Sequence, residues 1–241
     1  MYDAPHQFEP LLPALAKQEA LLAKAHDLAR SATQLAGLPV AGELRGLLRG
    51  MNSYYTNRIE GQHTRPLEIE QALARNFSDN KALAARQRLA IAHIDAEAAI
   101  EQRYSGESGG RQLYAAAAVR DIHRELFSRL PPEDLVTSES EPVVAGELRQ
   151  REVQVGHHVA PAHASVPALL ERWGQFYGDI RRGEAALLAL AAAHQRLGWV
   201  HPFIDGNGRV MRLHTHAVLT ALGYTNGLWS PLRGFARSVD Q

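Results

Sequence analysis

The spacing of apolar residues constrains this chain most. Leu11, Leu15, Leu22, Ala25, Leu28, Ala32 and Leu35 recur at three-, four- and seven-residue steps, which places them on one face of a helix that Gly37 and Pro39 end. A second stripe runs Val40, Leu44, Leu47, Leu48, Met51, Tyr55, Ile59 and stops at Gly61. Thr64 with Pro66 behind it predicts a new helix start. Leu83, Leu89, Ile91, Ile94 and Ala98 predict a long helix over 81–103. The tract SGESGG at 105–110 predicts a flexible loop, and 111–130 a further helix stopped by Pro131 and Pro132. The texture changes at 131–165, where the alternation Glu152-Val153-Gln154-Val155 predicts a strand, part of a short hairpin. Helical spacing returns at 166–182, 184–199 and 207–222, with Gly223 as the last stop. The expected fold is all-α with one short β-hairpin. Residues 1–80 form a helical lead-in that packs on 81–241, because no polar linker separates the two.

Composition removes several functions. Lys plus Arg and Asp plus Glu are 26 each, so no global field draws the chain to nucleic acid or membrane. The longest apolar run, at 185–193, is far short of the ~20 residues that span a bilayer. Absence of Cys excludes disulfides, thiolate metal sites and a Cys nucleophile. With no secretory signal visible in the first ten residues, the expected compartment is the cytoplasm. His is frequent at 12, but no HExxH occurs. His214 and His216 are two apart on a helix and face different ways, and His157-His158 point to opposite faces of the hairpin. His63, His93, His123 and His163 stand alone, as structural histidines do, so no transition-metal site is expected.

The chemistry concentrates in 201–212, HPFIDGNGRVMR. One helix ends, Pro202 and Gly206 forbid its continuation, and a second helix starts near Asn207 or Gly208. A helix N-terminus offers unpaired N–H groups and the positive end of a dipole, which together suit an anion. Gly206 and Gly208 let a ligand approach main chain with no Cβ in the way. Arg209 and Arg212, three apart, share a helix face, and two guanidinium groups there suit a polyphosphate. Asp205 is a hard oxygen ligand for the Mg²⁺ that accompanies ATP, and His201 stands where it can take a proton from an attacking hydroxyl. No GxxxxGK[ST] occurs, and Met211 replaces the third Gly of a GxGxxG, so neither a P-loop nor a dinucleotide fold is expected.

This segment resembles the Fic family signature HPFx[D/E]GNGRxxR at every specified position. The likeness extends over 113–235, with His194 ahead of the motif, the hairpin near 146–156 and LWSPLRG at 228–234. At the last of these the family often shows Ser-Arg, whereas this chain has Pro231-Leu232-Arg233. The resemblance implies a Fic-type helical core that binds ATP and Mg²⁺, with a β-hairpin flap that holds a target protein. It implies His201 as base, Asp205 as metal ligand, Asn207 with the N–H groups near Gly206 and Gly208 for the α- and β-phosphates, and Arg209 with Arg212 for the β- and γ-phosphates. Phe203 would anchor the loop. The flap would present Val153, Gln154 and Val155 to the target by main-chain hydrogen bonds. Family members often continue into further helices or a winged DNA-binding domain, so a missing C-terminal part is an expectation, and nucleic acid a partner only with it.

Upstream, Thr56-Asn57-Arg58-Ile59-Glu60-Gly61 resembles the family's inhibitory motif [S/T]xxxE[G/N]. By itself Glu60 reads equally as a solvated helix-end acid and Gly61 as a plain C-cap. A carboxylate at a helix C-terminus opposes the dipole and needs a partner, and the resemblance implies Arg212. The implied activity is transfer of AMP from ATP to a Ser, Thr or Tyr hydroxyl of another protein or of the chain itself, restrained by Glu60. Removal of AMP with Glu60 orienting a water stays open, as does a locked nucleotide-sensing module. Phosphate transfer in the manner of the Doc branch is disfavoured by Gly208, where that branch tends to carry Lys. A homodimer is left open.

Overall fold

The computed structural model describes residues 11–36, 38–39, 42–179, 183–225 and 227–239. Its helices are α1 (Leu15–Ala36), α2 (Gly42–Ile59), α3 (Pro66–Leu73), α4 (Lys81–Arg103), α5 (Gly106–Gln112), α6 (Ala116–Phe127), α7 (Val166–Asp179), α8 (Gly183–Val200), α9 (Asn207–Ala221) and α10 (Leu232–Val239). Between α6 and α7 a hairpin pairs β1 (Gln154–Val155) with β2 (His158–Val159) in antiparallel register. The fold class is the expected one: helical, with a single two-stranded sheet among the described residues.

α4 is the spine. Asn80 Oδ1 caps it by accepting the Leu83 N–H at 3.1 Å. Its buried positions run from Ala84 to Ile100, and α2, α3, α6 and α9 all lean on it. The main core joins Ile100 of α4, Ile122 and Leu126 of α6, Leu169, Leu170 and Trp173 of α7, Leu197 of α8 and Leu213 of α9. Side chains of this size contribute roughly 1.5–3 kcal/mol each when fully buried. α1 lies on α8 and α2 on α4 and α10, so the N-terminal helices pack on the rest as expected.

Three expectations need correction. The 105–110 tract is not a loop, because α5 covers most of it. A Cβ on Gly110 would sit 3.2 Å from Ala221 Cβ, so the small residue suits close packing of α5 on α9. The first stripe enters its helix at Leu15, not Leu11; residues 11–14 precede it, and the Leu11 carbonyl accepts from the Tyr177 hydroxyl at 2.9 Å. The second stripe forms a helix, but half of its described apolar residues turn outward and the rest (Leu48, Tyr55 and Ile59) are only partly covered. Leu44, Leu47 and Met51 are exposed, while the buried residues of α2 are Asn52, Ser53, Thr56 and Asn57. The reason is what α2 meets: carboxylates on α4 and guanidinium groups on α9, which polar side chains can satisfy. The Gly37 stop, the Val40 start, the helical assignment of 180–182, the absence of a signal at 1–10 and the chain end at Asp240-Gln241 lie outside the described residues.

Candidate active site

The loop between α8 and α9 is fixed from within. Asn207 clamps it, its Oδ1 accepting the Phe203 N–H at 2.9 Å while its Nδ2 donates to the Phe203 carbonyl at 2.8 Å. The Phe203 ring is fully buried and stacks on His123 at 4.0 Å. His123 Nδ1 accepts the Gly146 N–H at 2.8 Å, which puts its proton on Nε2, facing the Asp205 carbonyl at 3.3 Å. Burial pushes this imidazole down to about 4, so it stays neutral and structural. Gly206 has φ +78°, and a Cβ there would lie 2.3 Å from the Phe127 ring. Close packing on Phe127, more than ligand approach, is what demands glycine at 206. The Asn207 side chain is likewise committed to the loop itself.

α9 then presents Arg209 and Arg212, both nearly inaccessible at 3% exposure. The end of α2 covers both. Arg212 Nε donates to Thr56 Oγ1 at 2.7 Å and Nη2 to the Thr56 carbonyl at 3.3 Å, and Nη2 also pairs with Glu60 Oε1. Arg209 Nε donates to Asn57 Oδ1 at 3.1 Å and Nη2 to Gln62 Oε1 at 2.8 Å. Glu60 directly follows α2, and Gly61 turns the chain with φ +72°. The carboxylate lies over the first turn of α9: a Cβ on Gly208 would fall 2.2 Å from Glu60 Oε1. So an anion already occupies the positive end of α9. Asn57 and Gln62 were not singled out from the sequence, although one lies inside and the other just beyond the inhibitory-type motif.

His201 is half-buried, in left-handed backbone with φ +49°. Burial holds its imidazole below the usual value, and the charges of Arg149 and His158 add to this, while the Gly198 main chain and Glu60 oppose it. The neutral form, able to accept a proton, is therefore favoured near pH 7. The Asp205 side chain is 44% exposed, takes the Gly206 N–H at 2.6 Å and stands 4.0 Å from Arg209 Nη1. In the hairpin, the Ala160 N–H bonds the Val153 carbonyl at 3.1 Å. By antiparallel alternation, Gln154 opposite Val159 is then a non-bonded pair whose main-chain groups face outward. Gln154 and Val155 are exposed and Val153 is partly covered.

Behind the site, Glu97, Glu101 and His216 gather their polar atoms within 4.8 Å of one another. Burial raises the Glu97 carboxyl to about 7, and Asn52 of α2 donates to both its oxygens at 3.0 and 3.1 Å. Arg49 of α2 pairs with Glu101 at 2.5 Å, and His216 Nε2 lies 2.8 Å from the same carboxylate. The cluster thus fastens α2 to α4 and α9.

The profile of the Fic/DOC family matches residues 114–219, from the turn before α6 through most of α9. Over these residues the chain is similar to the Fic/DOC family. Among curated proteins it is similar to the protein adenylyltransferase Fic of Drosophila mojavensis, 31% identical over 127 residues, which is 52% of this chain and 23% of that protein. The Drosophila ananassae protein of the same name is 36% identical over 107 residues, 44% of this chain and 20% of that protein. The match thus spans about a fifth of the length of these curated relatives. Among solved structures, a Fic family protein from Desulfovibrio desulfuricans shares the fold with a TM-score of 0.68 at 17% identity, covering 97% of this chain and 68% of that one. Fic-1 from C. elegans does so with a TM-score of 0.62 at 18% identity, covering 93% and 68%. Among the described residues no helix is long and apolar enough to cross a membrane.

Proposed function

We propose that this chain is a protein adenylyltransferase held in a restrained state by Glu60. Residues 81–241 would form the catalytic core and 1–80 the inhibitory lead-in, working in the cytoplasm. The observation that carries the reading is the Glu60 carboxylate lying against Gly208 and paired with Arg212, a protein anion in a place built for one. The relatives called protein adenylyltransferase Fic support the choice of reaction.

In this reading the triphosphate of ATP lies along the start of α9, on the N–H groups near Gly206 and Gly208, with Arg209 and Arg212 as its cationic partners. A Ser, Thr or Tyr hydroxyl, presented by the outward edge of Gln154, attacks the α-phosphorus. His201 takes the hydroxyl proton, a bond forms from that oxygen to the α-phosphorus, and the bond to the bridging oxygen breaks to release pyrophosphate. Asp205 fits a Mg²⁺ site, because this ion is commonly held by one or two carboxylates plus substrate phosphates, and Asp205 offers an accessible carboxylate beside the phosphate site. The ion, when bound, would neutralise phosphate charge. The protein's part is positioning and charge complementarity.

The test is intact-mass spectrometry of Glu60→Gly incubated with ATP and Mg²⁺, alone and in a cell lysate. A mass gain of one AMP on a hydroxyl residue supports the proposal. Release of AMP from an already modified target, lost in the same variant, would instead assign Glu60 to the reverse reaction. Tight ATP binding with no adduct would mark a nucleotide sensor.

A further inference from the structure

Arg149 has no catalytic assignment, yet it is the most heavily engaged side chain near the site. Its guanidinium is fully buried and its closest acid, Glu152, stands 3.7 Å away and is half exposed. A buried cation normally finds a carboxylate. Arg149 has only the long ion pair with Glu152 and spends its hydrogen bonds on main-chain carbonyls of three separate segments. Nε reaches His201 at 2.8 Å, Nη1 reaches Arg151 at 2.8 Å, and Nη2 reaches Pro161 as well as Val200 at 3.5 Å. Its own N–H bonds the Pro202 carbonyl at 2.9 Å. Arg151 and Pro161 are the two rails at the base of the hairpin, one before β1 and one after β2. Val200 and His201 are the end of α8 and the first residue of the motif loop.

His201 is one of three non-glycine residues with positive φ among those described. That conformation is disfavoured for an L-residue and persists only where its surroundings impose it. The bond from Arg149 Nε to the His201 carbonyl is one such constraint. A second tie runs in parallel: His158 of β2 contacts the Trp199 carbonyl through Nε2 at 2.9 Å.

We propose that Arg149 is a positioning residue that sets the distance between the flap and the base, locking the His201 backbone and both rails of the hairpin into one unit. This rests on the adenylyltransferase reading, since only there do a target on the flap and a base on the loop have to meet. A target strand registered by Gln154 is then registered to the His201 imidazole as well. Five fixed donors in a planar fork suit this task, and a lysine ammonium has neither the planarity nor the reach. The groups that face His201 are Arg149 itself, His158 of the flap and Glu60 at the end of α2. Removing the Arg149 charge therefore lets the imidazole move back up toward its ordinary value, as Arg149 and His158 both depress it.

The test uses Arg149→Lys and Arg149→Gln in the full chain carrying Glu60→Gly, with NMR titration of the His201 imidazole and AMP transfer measured at several ATP concentrations. Arg149→Lys should lower kcat by ~10- to 100-fold with KM for ATP little changed, as expected of a displacement of about 1 Å between reacting groups. Arg149→Gln should lower kcat and also raise the pH at which His201 titrates. Should Arg149→Gln fail to fold by circular dichroism, the split between kcat and KM in Arg149→Lys still decides. Unchanged kcat in Arg149→Lys overturns the proposal, and so does a parallel loss of ATP binding and activity with an unmoved His201 titration. No AMP transfer by the Glu60→Gly parent would refute the adenylyltransferase reading instead, and the NMR titration would still report on Arg149.

Discussion

Glu60→Gly should release the nucleotide site, and its size can be worked from the contacts. Glu60 holds Arg212 by a charge-assisted hydrogen bond, in a place where the guanidinium is buried and the carboxylate partly covered. Hydrogen bonds to charged groups contribute about 1.5–3 kcal/mol net. A phosphate that seats on Arg212 has to displace that bond, so removal of Glu60 should favour the productive pose roughly 10- to 150-fold at 1.4 kcal/mol per tenfold. Thr56 offers an internal gradation. Its hydroxyl accepts only the Nε proton of the same arginine, at 2.7 Å, and leaves Glu60 in place. Thr56→Ala should therefore release less activity than Glu60→Gly. Isothermal titration with ATP gives the affinity, and initial rates of AMP incorporation at saturating ATP give the rate. Equal rates in wild type and Glu60→Gly, with equal ATP affinity, would refute the restraint and reduce the Glu60–Arg212 pair to architecture.

Gln154→Pro should impair modification of a protein target while leaving ATP affinity intact, because it removes the outward main-chain donor; equal loss of both, by titration and by transfer rate, would make the hairpin structural. Gly206→Ala should cost roughly 2–4 kcal/mol in urea unfolding, from left-handed strain and from the 2.3 Å clash with Phe127, and a cost near zero would contradict the loop geometry. Acid should destabilise the fold from about pH 6.5 downward. His93 lies near 3, and His123, His194 and His214 near 4, all pushed down chiefly by burial, so the unfolded chain takes up protons first as pH falls. Their contribution is complete above the unfolded value and is lost toward pH 4. The raised Glu97 and His216 oppose it in part, so a melting temperature that falls between pH 7 and pH 5 is expected, and a rising one would refute the burial of these rings.

The motif loop was legible because each of its residues has a chemistry that few other places would use: two glycines, two arginines, an acid and an imidazole between two helices. The Arg212 partnership of Glu60 came from resemblance, and the observed geometry agrees with it. The inner face of α2 was not legible. Apolar periodicity assumes that the apolar side turns inward, and at Leu44, Leu47 and Met51 it turns outward because the facing helices carry charges. Arg149 was invisible for another reason. The hydrogen-bond partners of its side chain are main-chain carbonyls, which carry no side-chain identity, and the farthest of these is 52 residues away in sequence. α5 was read as a loop because glycine lowers helix propensity, a weak local preference that packing against α9 overrides.

The proposed reaction is AMP transfer with His201 as the base. It is tested most directly by incubating Glu60→Gly, and the same variant with His201→Ala, with ATP labelled at either the α- or the γ-phosphate. Label on protein is expected from the α-position only, reduced ~10²–10⁴-fold when His201 is replaced while ATP still binds. Incorporation from the γ-position, or undiminished α-labelling without His201, would contradict it.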